Sequence, residues 1–117
     1  MQEPEFLLDG ARVLRYSMLE AQGGYRAVVE GIPVDDRSVS RLVIAEDLVE
    51  AGVYLLHCNS DWETVAASRF ADADAAERGA AAAYSGVTPR WTAYRALTEE
   101  EERQVRTTRE FLREIAG

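Results

Sequence analysis

The pattern of apolar and polar positions centres on residues 52–67. With side chains alternating at a period of two, Val53, Leu55 and His57 fall on one face of an extended strand and Tyr54, Leu56 and Cys58 on the other. Both faces are largely apolar, which predicts an interior strand. Asn59, Ser60 and Asp61 are turn formers, and residues 63–68 read as a less apolar partner strand closer to a sheet edge. Residues 52–67 are therefore expected to form a hairpin that the rest of the chain covers.

Upstream, Pro4 opposes regular structure in residues 1–10, where Phe6, Leu7 and Leu8 can pin the segment to the body. Residues 11–20 carry Val13, Leu14, Tyr16, Met18 and Leu19 and predict a strand, with a turn at Gln22, Gly23 and Gly24 and a returning strand over 25–30. Gly31, Pro33, Asp35 and Asp36 mark a loop. Residues 38–46 fit two templates. Val39, Val43 and Ile44 are β-branched and favour a strand, whereas Leu42, Ala45 and Val49 also fit a helical stripe; the reading adopted is a strand.

Downstream the period changes. Asp72 can cap a helix from Ala73 to about Tyr84, with Ala73, Ala76, Ala80 and Ala83 on one stripe and Gly79 beside it. A face this short of large side chains predicts close approach to the sheet, which would compensate the cost of about 1 kcal/mol for a mid-helix glycine. Gly86 suits the helix exit, and residues 89–96 predict a short strand containing Trp91 and Tyr94. Thr98 and Glu101 match a capping box that opens a final helix. Glu99 with Arg103 and Glu102 with Arg106 lie four apart, while Val105, Leu112 and Ile115, with Phe111 nearby, form a narrow apolar stripe that suits a peripheral helix. The expected fold is α+β, a single domain over 1–117: a mainly antiparallel sheet of about five strands, the Ala-rich helix on one face and the C-terminal helix at the periphery.

Composition narrows the classes of function. The chain of 117 residues carries 21 acidic side chains against 13 basic ones, all of them Arg, for a net charge of −8. That balance disfavours nucleic acid and anionic membranes, which need local positive charge, and favours a basic protein partner. Cys58 is the only cysteine and His57 the only histidine, so neither a disulfide framework nor a thiolate zinc cluster is expected. The acidic start and the absence of a long apolar run favour a soluble, cytoplasmic protein without a membrane partner.

Candidate chemistry is sparse. Strand alternation sends His57 and Cys58 to opposite faces, which separates a thiol from its would-be base. Asp72, Asp74 and Glu77 lack the central glycine and distal glutamate of a calcium loop and read as helix-start carboxylates. Asp35 with Asp36, and Asp61 with Glu63, read as solvated turn carboxylates. No metal or cofactor fingerprint is present, and the expectation is a non-enzymatic chain without a cofactor. For protein binding the candidates are the hairpin turn with Asp61, Trp62 and Glu63, the aromatic Trp91, and the acidic helix start with Glu99 and Glu100. Trp62 qualifies only if it is exposed.

The run Tyr54-Leu-Leu-His-Cys58, then Trp62, then a helix with Ala76, Ala80 and Tyr84, then Gly86 and Trp91, resembles a loosely defined group of short bacterial α+β proteins. These share a YLLxC-x3-W hairpin, a helix and a G-x4-W closure. The resemblance spans residues 54–91 and implies the hairpin-helix unit, with no activity to carry over. The functional expectation is an acidic protein-binding module, such as an immunity or inhibitor protein neutralising a basic partner. The alternative is a small-ligand-binding or regulatory domain with a pocket between sheet and helix, lined by His57, Tyr54 or Trp91.

Overall fold

The computed structural model describes residues 3–19, 26–27, 39–85 and 88–116. Its strands are β1 (Leu7–Leu8), β2 (Ala11–Met18), β3 (Arg26–Ala27), β4 (Arg41–Glu46), β5 (Val53–Cys58), β6 (Thr64–Phe70), β7 (Tyr84–Ser85) and β8 (Thr92–Ala93), and its helices are α1 (Ala73–Ala83) and α2 (Glu99–Ala116). The main sheet is antiparallel in the order β1-β2-β4-β5-β6, with β8 added to β2. The α+β class, the sheet with a helix against it and the C-terminal helix agree with the pattern of the chain.

β5 lies between β4 and β6, which satisfy both of its edges, and its two apolar faces feed two separate cores. Val53 and Leu55 join Leu42, Ile44, Ala76, Ala80 and Tyr84 in one core, under α1. Leu56 and Cys58 join Val13, Val43, Ala45 and Trp62 in a second core on the opposite face. Residues 41–46 form a strand because β4 feeds both cores: Leu42 and Ile44 point one way, Val43 and Ala45 the other, and all four are fully buried. Fully burying each of the larger aliphatic side chains contributes about 1.5–3 kcal/mol.

Three expectations need correction. β2 pairs with β4, and of the expected return strand over 25–30 the described residues, Arg26–Ala27, pair with β7 and not with β2. β4 offers β2 a six-residue partner whose side chains alternate between two cores. The N-terminal lead-in is regular at Leu7–Leu8, which extends the edge of β2. On α2, Arg103 pairs with Glu100 at 2.7 Å and Glu102 with Arg12 at 3.1 Å, in place of the i,i+4 pairs that spacing suggested. The expected turn at 22–24, the loop at 31–36 and the helix exit at Gly86 lie outside the described residues.

A register shift between Val13 and Arg15 places an extra residue in β2. Bulges of this kind turn two successive side chains to one side. Leu14 packs on the α1-side core, and Arg15 reaches Asp74 at 3.2 Å and also Glu77, both on α1. The bulge thus joins the helix to a strand that lies two positions away from β5.

α1 begins where Asp72 accepts a hydrogen bond from the Ala75 N–H at 2.8 Å. Ala76 and Ala80 are fully buried. At Gly79 the close approach is to the ring of Phe70: a Cβ there would lie within 2.5 Å of Cε1 and 3.2 Å of Cε2. Glycine at this position is a socket for an aromatic ring from β6.

Candidate functional site

A groove lies at the C-terminal end of α2, with a volume of about 520 Å³. Three segments distant in sequence build it. The β1–β2 turn supplies Asp9 and Gly10, the β4–β5 connection supplies Asp47 and Glu50, with Tyr54 from β5, and α2 supplies Leu112 and Ile115.

Each wall is held by local chemistry. The turn uses Asp9 at φ 52° and Gly10 at φ 77°, the left-handed region that glycine enters without a steric penalty. A Cβ on Gly10 would touch Leu112 Cδ1 at 3.4 Å, so the turn backbone packs directly against the helix. Asp47 organises the next connection: its carboxylate accepts from the N–H of Val49 at 2.8 Å and of Glu50 at 3.1 Å, from the Tyr54 hydroxyl at 3.0 Å and from Arg69 at 2.6 Å. Burial pushes the Asp47 carboxyl up, but these four donors outweigh it and hold the group well below the usual carboxylate range. Burial, together with the bond to Asp47, raises the Tyr54 hydroxyl. Asp47 is thus saturated and acts as the frame of the groove, whereas Glu50 lies 3.8 Å from the Arg69 guanidinium and keeps a side chain 77% exposed.

α2 is positioned at both ends. Thr98 Oγ1 accepts from the Glu101 N–H at 3.1 Å while Glu101 accepts from the Thr98 N–H at 2.9 Å, which is the expected capping box. Arg95 donates to both Glu101 oxygens, at 2.7 and 2.8 Å, and these bonds lower the Glu101 carboxyl to about 2. Further along, Arg109 donates to the Leu48 carbonyl at 3.2 Å and to Glu46 at 3.3 Å, which fastens the helix over the β4–β5 connection. Val105 is the buried residue of the helix, while Phe111 and Ile115 remain 59% and 67% exposed.

The residues singled out from sequence fall in separate places. Asp61 and Glu63 are exposed on the β5–β6 turn, where the Asn59 side chain accepts from both of their N–H groups, at 2.9 and 3.0 Å. Trp62 between them adopts φ 63° and turns back onto the sheet, only 6% exposed. Its ring meets Tyr16 edge-on at 5.8 Å and lies under the Arg41 guanidinium at 4.6 Å. A left-handed conformation costs a non-glycine residue about 1–2 kcal/mol, which burial of the indole offsets. Trp62 is therefore a core residue. Trp91 is half-buried against the α1-side core. Glu99 and Glu100 are exposed on the first turn of α2. The two acidic pairs are not brought together, because the 59–63 turn sits at one end of β5 and α2 is fastened to residues at the other. The groove residues Asp9 and Glu50 were missed in the sequence, where Leu112 and Ile115 showed only as a narrow apolar stripe on α2.

His57 and Cys58 lie on opposite faces, as alternation requires. His57 is fully buried, with Nδ1 2.5 Å from the Tyr84 hydroxyl and Nε2 3.3 Å from Ser68 Oγ. Burial lowers its pKa to about 4, so the ring is neutral near pH 7. Cys58 is also fully enclosed, and burial pushes its thiol up to about 11. A protonated, inaccessible thiol is a poor nucleophile. Among the described residues no group of three His, Cys, Asp or Glu side chains is placed to hold a metal ion, and no helix is long and apolar enough to cross a membrane. No protein-family model, curated protein or solved structure that was compared with the chain matches it.

Proposed function

We propose that this chain is a non-enzymatic binding module for a basic protein, of the kind that neutralises its partner by occupying it, as an immunity or inhibitor protein does. The observation that carries the reading is the disposition of charge. Arg12, Arg15, Arg69, Arg95, Arg103 and Arg109 are each drawn into ion pairs with the chain's own carboxylates. Asp9, Glu50, Asp61, Glu63 and Glu99 stand exposed. The net charge of −8 is therefore expressed as a field of carboxylates that attracts cations and steers a basic partner into contact.

The test is affinity capture from the native host, followed by binding measurements on the purified partner. The expected partner is strongly basic, and its association slows steeply between roughly 50 and 300 mM salt, as screening shortens the reach of the field. An acidic partner, or an affinity unchanged by charge reversal of the exposed carboxylates, refutes the reading. Native mass spectrometry of the same preparation addresses a second reading, the small-ligand-binding domain. That reading draws on the Ser17 and Ser40 hydroxyls, which are buried without a hydrogen-bond partner; Ser17 lies across β4 from His57. A stoichiometric small molecule carried with the protein would favour it.

A further inference from the structure

We infer that the groove at the C-terminal end of α2 is the docking surface for the basic partner, seating an apolar side chain of that partner against Leu112 and Ile115 while Asp9 and Glu50 face its flanking cations. The inference rests on the basic-partner reading and adds a place and a mode of contact.

An interface needs two things at one location. Apolar anchors that become buried supply most of the affinity, and charge supplies approach and orientation. The hairpin turn has exposed carboxylates at Asp61 and Glu63, but its aromatic residue is already spent on the core. The start of α2 has carboxylates, and Glu100 is held by Arg103.

At the other end of the helix both requirements meet. Phe111 and Ile115, one turn apart, are the two most exposed large apolar side chains among the described residues. Ile115 and Leu112 form the apolar wall of the groove, and its lining includes three carboxylates and no cationic side chain. Asp47 is engaged by four donors, and Glu50 shares the same Arg69 guanidinium at 3.8 Å. The three lining carboxylates thus face one cation and leave an excess of negative charge, with Asp9 and the 77% exposed Glu50 side chain placed to meet a partner's cation. A groove that is apolar along one wall and anionic along the other complements an apolar residue flanked by Lys or Arg. It repels an acidic segment, and a second copy of this chain, itself at −8, is a poorer complement than a basic partner.

The walls are preorganised. Arg109 fastens α2 to Glu46 and Leu48, Gly10 packs on Leu112, and Asp47 fixes the connection that carries Glu50. Binding then orders only the exposed side chains, which limits its entropic cost.

The experiment titrates the whole ¹⁵N-labelled chain with two synthetic peptides of equal positive charge, one alternating Lys with Leu and one alternating Lys with Ser, and follows the amide shifts. The expected result is that the Leu/Lys peptide binds more tightly, with shifts concentrated at 9–11, 47–54 and 111–116. Ile115→Ser, at a position exposed enough to leave folding intact, should weaken it about tenfold. Asp9→Asn, which suits the left-handed backbone, combined with Glu50→Gln should weaken both peptides and flatten their salt dependence. Equal affinity for the two peptides, or shifts concentrated at 59–63, overturns the groove while leaving a basic partner in place. If neither peptide binds more tightly than a Leu/Glu control, both readings fall. Concentration-dependent dimerisation through 111–116, read by sedimentation, also overturns the inference by assigning the surface to self-association.

Discussion

Acid should destabilise this protein over two successive ranges of pH, and the first belongs to His57. The ring is fully buried, with Tyr84 and Ser68 at its two nitrogens, in a site that accommodates the neutral imidazole. Its pKa is lowered by burial from 6.5 to about 4. A histidine depressed in this way binds its proton more readily in the unfolded chain. The stability it confers is fully present above pH 6.5 and is lost as pH falls through 4. With those two values, linkage gives a loss of about 2 kcal/mol by pH 5 and about 3 kcal/mol by pH 4, with a limiting slope near 1.4 kcal/mol per pH unit.

Asp47 and Glu101 act in the same direction at lower pH. Their folded carboxyls are depressed, so the stability they confer begins to be lost as pH falls through the ordinary carboxylate range and goes on being lost down to their folded values. The window between pH 6.5 and about 5.5 therefore isolates the single histidine of the chain. Urea unfolding at half-unit intervals from pH 7.5 to 4 provides the measurement. The His57→Gln variant should remove the slope in that window whatever its effect on absolute stability. If that variant does not fold, NMR titration of the wild-type ring is independent: His57 should stay neutral in the folded protein down to about pH 4. A flat stability profile, or a folded-state titration near 6.5, would refute the argument.

Two further outcomes follow from the packing. Gly79→Leu should lower the melting temperature far more than Arg78→Leu, because a side chain at 79 must expel the Phe70 ring whereas Arg78 is exposed; equal melting temperatures would dispose of the socket. Cys58 should resist iodoacetamide at pH 7.5 and react at an ordinary rate once the chain is unfolded in urea, since both burial and a raised pKa protect it. Fast labelling of the folded protein, read by mass spectrometry, would contradict its placement in the buried core that also holds Trp62.

Much of the local structure was legible because it depends on neighbours in sequence. The period-two alternation of 53–58 separated His57 from Cys58, Asp72 marked the start of α1, and Thr98 with Glu101 marked the start of α2. The features that failed to show involve partners from elsewhere. β2 pairs with β4, a strand distant in sequence, and the bulge at Leu14 that carries Arg15 to α1 leaves no mark in composition. Gly79 was legible as a close-packing site, but the ring that fills it comes from β6. Trp62 could have stood outside or inside; a left-handed turn, which sequence does not announce for tryptophan, put it in the core.

The candidate site divides in the same way. Its ingredients, an acidic excess and a narrow apolar stripe on the final helix, are properties of the sequence alone, as are the α+β class and the exclusion of a His57–Cys58 pair. Which carboxylates stand beside that stripe was settled only when the β1–β2 turn, the β4–β5 connection and α2 packed against one another. Periodicity reports which face of an element is buried, because that depends on residues a turn or a pleat apart. A groove between three elements depends on their relative placement, which is set by the summed burial of two cores and by long-range contacts such as Arg109 with Leu48 and Gly10 with Leu112.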